Sequence, residues 1–205
     1  MKKREEKKKN WGAIAIALFF IFSMVIGIFA VVLDNGGVPN YNGYSFKVAN
    51  VDGGIVYKTK INKEYMDFYY YPGDLEIIKL DPQITNQLRQ MTGLGLVFNP
   101  YQNNTYDLAY IDLIRYELQT QLDKTVYFGI TNQSDIYTTL PVVNCSIATA
   151  QFPLIIIDTN VNYTAGVDTF KISKENPNCI ILNAKLRDLI AAKDRLVYAY
   201  YGVME

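Results

Sequence analysis

The feature that most constrains this chain is a stretch of twenty-three residues, Trp11 to Leu33, without a single charge. As a helix rising about 1.5 Å per residue it is roughly 34 Å long, enough to cross a hydrocarbon layer of about 30 Å. A helix buried in a water-soluble domain rarely needs so long an unbroken apolar run, because one of its faces normally meets solvent. The sequence therefore predicts one N-terminal transmembrane helix. A cleaved secretory signal is the competing expectation. It calls for a shorter apolar core and small residues around the cut, whereas Ala30 is surrounded by Ile28, Phe29, Val31 and Val32.

The flanks give the run a direction. Lys2, Lys3, Arg4, Lys7, Lys8 and Lys9 outnumber Glu5 and Glu6 before it, and the first charge after it is Asp34. Positive flanks stay inside, so the N-terminus is expected in the cytoplasm of a single-pass plasma-membrane protein. Trp11 then sits at the inner water boundary, where its amphipathic ring is favoured, and the basic tail lies beside lipid headgroups. The organisation expected is a basic cytoplasmic tail at 1–10, a transmembrane helix at 11–33 and a Gly-, Asn- and Pro-rich flexible stalk at 34–43. An extracytoplasmic domain follows at 44–205.

Two features agree with an outside domain. Asn103, Asn132, Asn144 and Asn162 each open an Asn-x-Ser/Thr glycosylation acceptor. Cys145 and Cys179 are the only cysteines, and in an oxidising compartment an isolated pair is most simply one disulfide. Closing a loop of that length stabilises by about 4 kcal/mol on the chain-entropy account.

Within the domain, β-branched and aromatic residues alternate with polar ones at 44–48, 55–61 and 65–71, which predicts an antiparallel meander. Asp81-Pro82 opens a short helix to about Met91, and Gly93 to Phe98 is a strand. A helix from Thr105 to about Leu122 places Leu108, Ile111, Leu118 and Leu122 on one face. Strands at 125–130 and 154–157 follow, the second wholly apolar as in a sheet covered on both sides. A hairpin at 170–172 and 179–182 and a final helix from Ala184 to about Tyr201, ended by Gly202, complete the chain. The fold class expected is a single α/β (α+β) domain with a mixed sheet.

Chemistry is sparse. The chain has no histidine, which removes the commonest general base and zinc ligand, and no phosphate loop, nucleophile elbow or Cys-x-x-Cys motif occurs. No cofactor is expected. Carboxylates remain: Asp158 closes the most apolar strand, and with Thr159 and Asn160 it offers oxygen to a hard cation or a sugar, or simply turns the chain out of the sheet. Arg115 lies beside the apolar stripe of its helix with Asp112 three residues back, either as an anion anchor or as a paired structural residue. Asp194 and Arg195 invite the same comparison. Tyr69, Tyr70 and Tyr71 stand together in the third predicted strand, where alternation turns one or two rings toward solvent or a partner. Nucleic acid is an unsuitable partner, since the only basic run is the cytoplasmic tail.

A basic leader, one apolar helix and an outer domain with a late cysteine pair resemble, in architecture, the pilin-like proteins of prokaryotic surface filaments. That resemblance implies processing just before the hydrophobic stretch, for which Gly12 is the available glycine. The run through Ala13 to Leu33 lacks the early glutamate of bacterial members, and no family is assigned.

These features predict a non-enzymatic surface protein or a subunit of a membrane or envelope complex. Its partners are lipid through the N-terminal helix and another membrane or surface protein through the tyrosines. The alternatives are a carboxylate- or metal-dependent hydrolase of envelope glycans, built on Asp158 and Asp112 with Arg115 orienting an anionic group, and an extracytoplasmic ligand receptor.

Overall fold

The computed structural model describes residues 16, 18–24, 39–51, 54–101, 105–159, 169–173, 175–185 and 187–205. The chain forms two compact units, Met1–Pro39 and Asn40–Glu205. In the first, residues 16 and 18–24 are helical. Among the described residues no helix is long and apolar enough to cross a membrane.

The second unit begins with an antiparallel meander of β1 (Asn40–Tyr41), β2 (Tyr44–Val51), β3 (Gly54–Ile61) and β4 (Glu64–Phe68), paired in that order. Strand β1 lies inside the stretch expected as stalk. Asn42 and Gly43 both take positive φ, the conformation of a tight hairpin turn, so Asn40 and Tyr41 fold back onto Ser45 and Tyr44. The meander's inner face carries Phe46, Thr59, Ile61 and Phe68, all buried.

A second, five-stranded sheet contains β5 (Gly93–Phe98), β6 (Thr125–Ile130), β7 (Leu154–Asp158), β8 (Phe170–Ile172) and β9 (Cys179–Asn183), in the order β6-β5-β7-β9-β8. The first four are parallel and β8 is antiparallel, which makes the sheet mixed, as expected. Helices α1 (Pro82–Gln90), α2 (Thr105–Gln121) and α3 (Arg187–Tyr201) accompany it. The Asp81 side chain caps α1 by accepting from the Gln83 N–H, and Pro82 occupies the first turn, where no N–H is needed.

The two faces of this sheet are covered differently. On one, Leu94, Leu96, Phe98, Ile155, Ile157, Ile180 and Leu182 join Ile111, Ile114 and Leu118 of α2 and Leu189 and Leu196 of α3 in the main core. On the other, Val97, Leu154 and Cys179 pack with Cys145 and Ala148 of the irregular segment between β6 and β7. The Cys145–Cys179 disulfide, with Cα atoms 5.3 Å apart, fastens that segment to β9. Gly95 on β5 makes the close approach possible: a Cβ there would meet Leu154 Cδ2 and lie 3.2 Å from the Phe152 ring.

Helix α3 lies between the two sheets. Its Tyr198 ring stacks on Phe68 at 4.1 Å and meets Phe46 edge-on at 6.0 Å, while Leu189 and Leu196 belong to the core beneath. Every residue from Leu189 to Ala199 is consequently buried. Gly202, at φ +75°, ends the helix in the left-handed conformation that an L side chain resists, and Val203 N–H donates to Tyr198 O at 2.8 Å.

Candidate functional site

Burial of α3 on all sides puts Lys193, Asp194 and Arg195 inside the protein, where unpaired charge is prohibitive. Lys193 Nζ lies 2.7 Å from Glu117 Oε2 on α2, in direct contact with Asp194 Oδ1, and donates to Gln121 Oε1 at 3.2 Å. The Phe68 and Tyr69 rings flank it, each centroid 5.6 Å away. Asp194 Oδ2 accepts the backbone N–H groups of Tyr69 and Tyr70 at 2.8 and 2.9 Å. The Tyr198 hydroxyl donates to Tyr70 O at 2.9 Å. Burial pushes the Asp194 carboxyl up to about 6 against the opposing pull of Lys193 and the two N–H groups. Burial, then Glu117, raises the Tyr69 phenol to about 12, and burial raises Tyr198 further.

These bonds correct the expected third strand, which stops at Phe68 rather than Tyr71. The N–H groups of Tyr69 and Tyr70 turn from the sheet to the Asp194 carboxylate, so strand alternation does not govern the three tyrosines. Tyr69 is exposed, while Tyr70 and Tyr71 are half-buried. The Tyr71 hydroxyl donates to Asn40 O at 2.9 Å and its ring meets Phe46 edge-on. Of the three, Tyr69 is the most exposed, at 39%.

Arg195 Nε donates to Ile78 O at 3.1 Å and Nη2 donates to Glu205 O. It borders an open cleft of about 530 Å³ with Tyr41, Asn42, Glu76 and Met204. Arg89 closes the same helix end, donating to Tyr200 O at 2.9 Å and Ala199 O at 2.6 Å, and thereby meets the negative pole of α3.

At the carboxyl ends of β5 and β6, Arg115 Nη1 donates to Asp112 Oδ1 at 2.7 Å, and its guanidinium lies 4.5 Å from the centroids of both Phe98 and Phe128. The expected partner is thus present, and the flat cation is held between two aromatic faces. Tyr137 faces the same Asp112, and burial with that carboxylate raises its phenol.

Asp158 ends β7 in register with Asn183 of β9. Asn183 Oδ1 is buried without a hydrogen-bond partner among the described residues, and Thr159 and Thr169 are buried nearby in sequence to these strands. Alternation along β7 puts Asp158 with Leu154 and Ile156, on the face away from the helices, whereas α2 and Asp112 lie over the opposite face. Among the described residues no group of three or more acidic, cysteine or histidine side chains could hold a metal ion.

Asn132 and Asn144 are exposed. Asn144 Oδ1 caps the turn at Cys145 by accepting from Ser146 N–H at 3.0 Å, and Ser134 of the Asn132 acceptor is buried. Asn103, Asn160 and Asn162 lie outside the described residues.

The residues missing from the sequence-based site are Lys193, Glu117 and Gln121. A signal existed: apolar residues at 189–192 and again at 196–199 leave α3 no polar face, so the charges between them had to be buried and paired. Comparison of the chain with protein-family models, with curated proteins and with solved structures found no match.

Proposed function

We propose that the chain is a membrane-anchored extracytoplasmic domain acting as a non-enzymatic surface protein or as a subunit of a membrane or envelope complex. The observation that carries this reading is the surface of the N-terminal helical residues: Ile16, Leu18, Phe19, Phe20, Ile21, Phe22 and Met24 are each at least 60% exposed. A helix apolar on every side is suited to a protein core or a bilayer. The uncharged run from Trp11 to Leu33 and its basic flank favour the bilayer, with the N-terminus inside.

The disulfide supports an oxidising compartment for the domain. The strongest ionic cluster, around Lys193 and Asp194, joins α2, α3 and the Tyr69–Tyr70 backbone to one another, which is a structural use of charge. Partner contacts then belong to exposed side chains of the domain such as Tyr69, and the anchor serves to tether.

The test replaces residues 1–33 with an unrelated signal-anchor of equal hydrophobic length and measures co-purification from membranes. Partners retained by the hybrid support the tether. Partners lost while the domain stays folded at the surface would move the function into the membrane helix, as a receptor or transmembrane complex requires.

A further inference from the structure

We propose that Asn144 is a glycosylation site controlled by the Cys145–Cys179 disulfide: it takes its sugar while Cys145 is a thiol, and closing the bond ends access to it. This rests on the extracytoplasmic reading above. Of the four acceptors in the sequence, only Asn144-Cys145-Ser146 has a cysteine as its middle residue. Its two outer residues are exposed, whereas Cys145 between them is 7% exposed. Asn144 Oδ1 accepts both the N–H and the hydroxyl of Ser146, so the two side chains that define the acceptor already meet. Among the described residues these bonds fall on the amide oxygen and leave to solvent the nitrogen, to which sugar is joined.

What the closed segment withholds is backbone, which a transferase must surround to seat both side chains. The main chain is fastened on either side of Asn144: Val143 N–H donates to Ile130 O at 2.8 Å, and Cys145 O accepts from Ala148 N–H at 3.2 Å and from Asn176 Nδ2 at 2.9 Å. Hydrogen bonds of this kind open locally and close again. The covalent bond to β9 does not, and it holds the middle residue of the acceptor itself. In the transfer, Asn144 Nδ2 attacks the anomeric carbon of a lipid-phosphate-linked sugar. The C–N bond forms, the C–O bond to phosphate breaks, the lipid phosphate leaves and Nδ2 gives up one proton. Oδ1 keeps both its bonds, so a glycosylated Asn144 suits the closed segment. The two thiols then pass two electrons and two protons to a disulfide donor of the compartment. Transfer comes first and the disulfide second. The Asn132 acceptor is closed differently: Ser134 is 6% exposed and its Oγ accepts the Ile136 N–H at 3.2 Å, while the Tyr101 hydroxyl donates to Gln133 O. None of these contacts involves either cysteine, which makes Asn132 the internal control.

The full chain and Cys179→Ser, which leaves the acceptor triplet intact, are synthesised into sealed microsomes that hold an Asn-x-Ser/Thr transferase, and the natural chain is also made in the presence of dithiothreitol. Glycans are removed by an amidase in heavy-oxygen water, which marks each formerly occupied asparagine as labelled aspartate, and occupancy is read by mass spectrometry. The expected result is a rise at Asn144, from a minority of natural chains to a majority in Cys179→Ser and under reductant, with Asn132 unchanged. Asn144 equally occupied, or equally empty, in all three samples overturns this inference alone when the microsomal membrane shields the domain from added protease. An equal rise at Asn132 overturns it too, since the bond would then hold the whole domain shut rather than this acceptor. A domain digested from outside sealed microsomes overturns the extracytoplasmic reading, and this inference with it.

Discussion

Asp194 is held by opposing forces: full burial disfavours its charge, while Lys193 and two backbone N–H groups favour it, and burial wins. Its carboxyl titrates near 6 in the folded chain, against an ordinary value of 3.8. Between those values the folded state keeps a proton that the unfolded state has released, so stability falls as pH rises through that window and levels off above it. At about 1.4 kcal/mol per pH unit of separation, the decline is roughly 3 kcal/mol at most. Urea unfolding followed from pH 4 to pH 7 should show it, and Asp194→Asn should abolish it while still offering the Tyr69 and Tyr70 N–H groups an acceptor. Asp194→Ala leaves both donors unsatisfied and Lys193 less compensated, at a cost of about 3–5 kcal/mol. A wild-type midpoint that rises between pH 4 and 6 relative to the asparagine variant contradicts this assignment.

Among the elements, those whose period and punctuation agree were legible in the sequence. Asp81-Pro82 marked α1, the stripe of Ile111, Leu118 and Leu122 marked α2, and the apolar run at 154–157 marked a strand buried on both faces. Two boundaries were set by distant partners instead. Strand β1 exists because Asn42-Gly43 folds it onto β2 and Asn42 Nδ2 donates to Val203 O at 3.0 Å. Strand β4 ends where Asp194, 125 residues away, captures the backbone. Helix α3 starts at Arg187 rather than Ala184. The cover on the second sheet face has no regular element beyond a short turn, and one covalent bond fastens it. Removing that bond with Cys145→Ser and Cys179→Ser should destabilise the domain by about 2–5 kcal/mol. Hydrogen exchange should accelerate first in residues 141–153, with α2 and α3 protected until global unfolding. Uniform acceleration across the domain would mean that the disulfide does not hold this cover specifically.

The whole molecule combines a mixed α/β domain, legible in outline, with a site that was less so. Arg115 and Asp112 were paired as their helical spacing suggested, but Asp158 and Asp112 could not be assigned to sheet faces before strand order and alternation were known. The burial of α3 between two sheets is likewise a property of the assembly, invisible to a helix read by itself. The most direct measurement of the central claim is sidedness. Intact cells expressing the full chain are treated with a membrane-impermeant amine reagent and the modified lysines are mapped by mass spectrometry. Labelling is expected at exposed lysines of the domain, Lys60 and Lys63 among them, and none at Lys2, Lys3, Lys7, Lys8 or Lys9 until the membrane is opened. Labelling of the N-terminal lysines in intact cells, with Lys60 and Lys63 protected until permeabilisation, would contradict it.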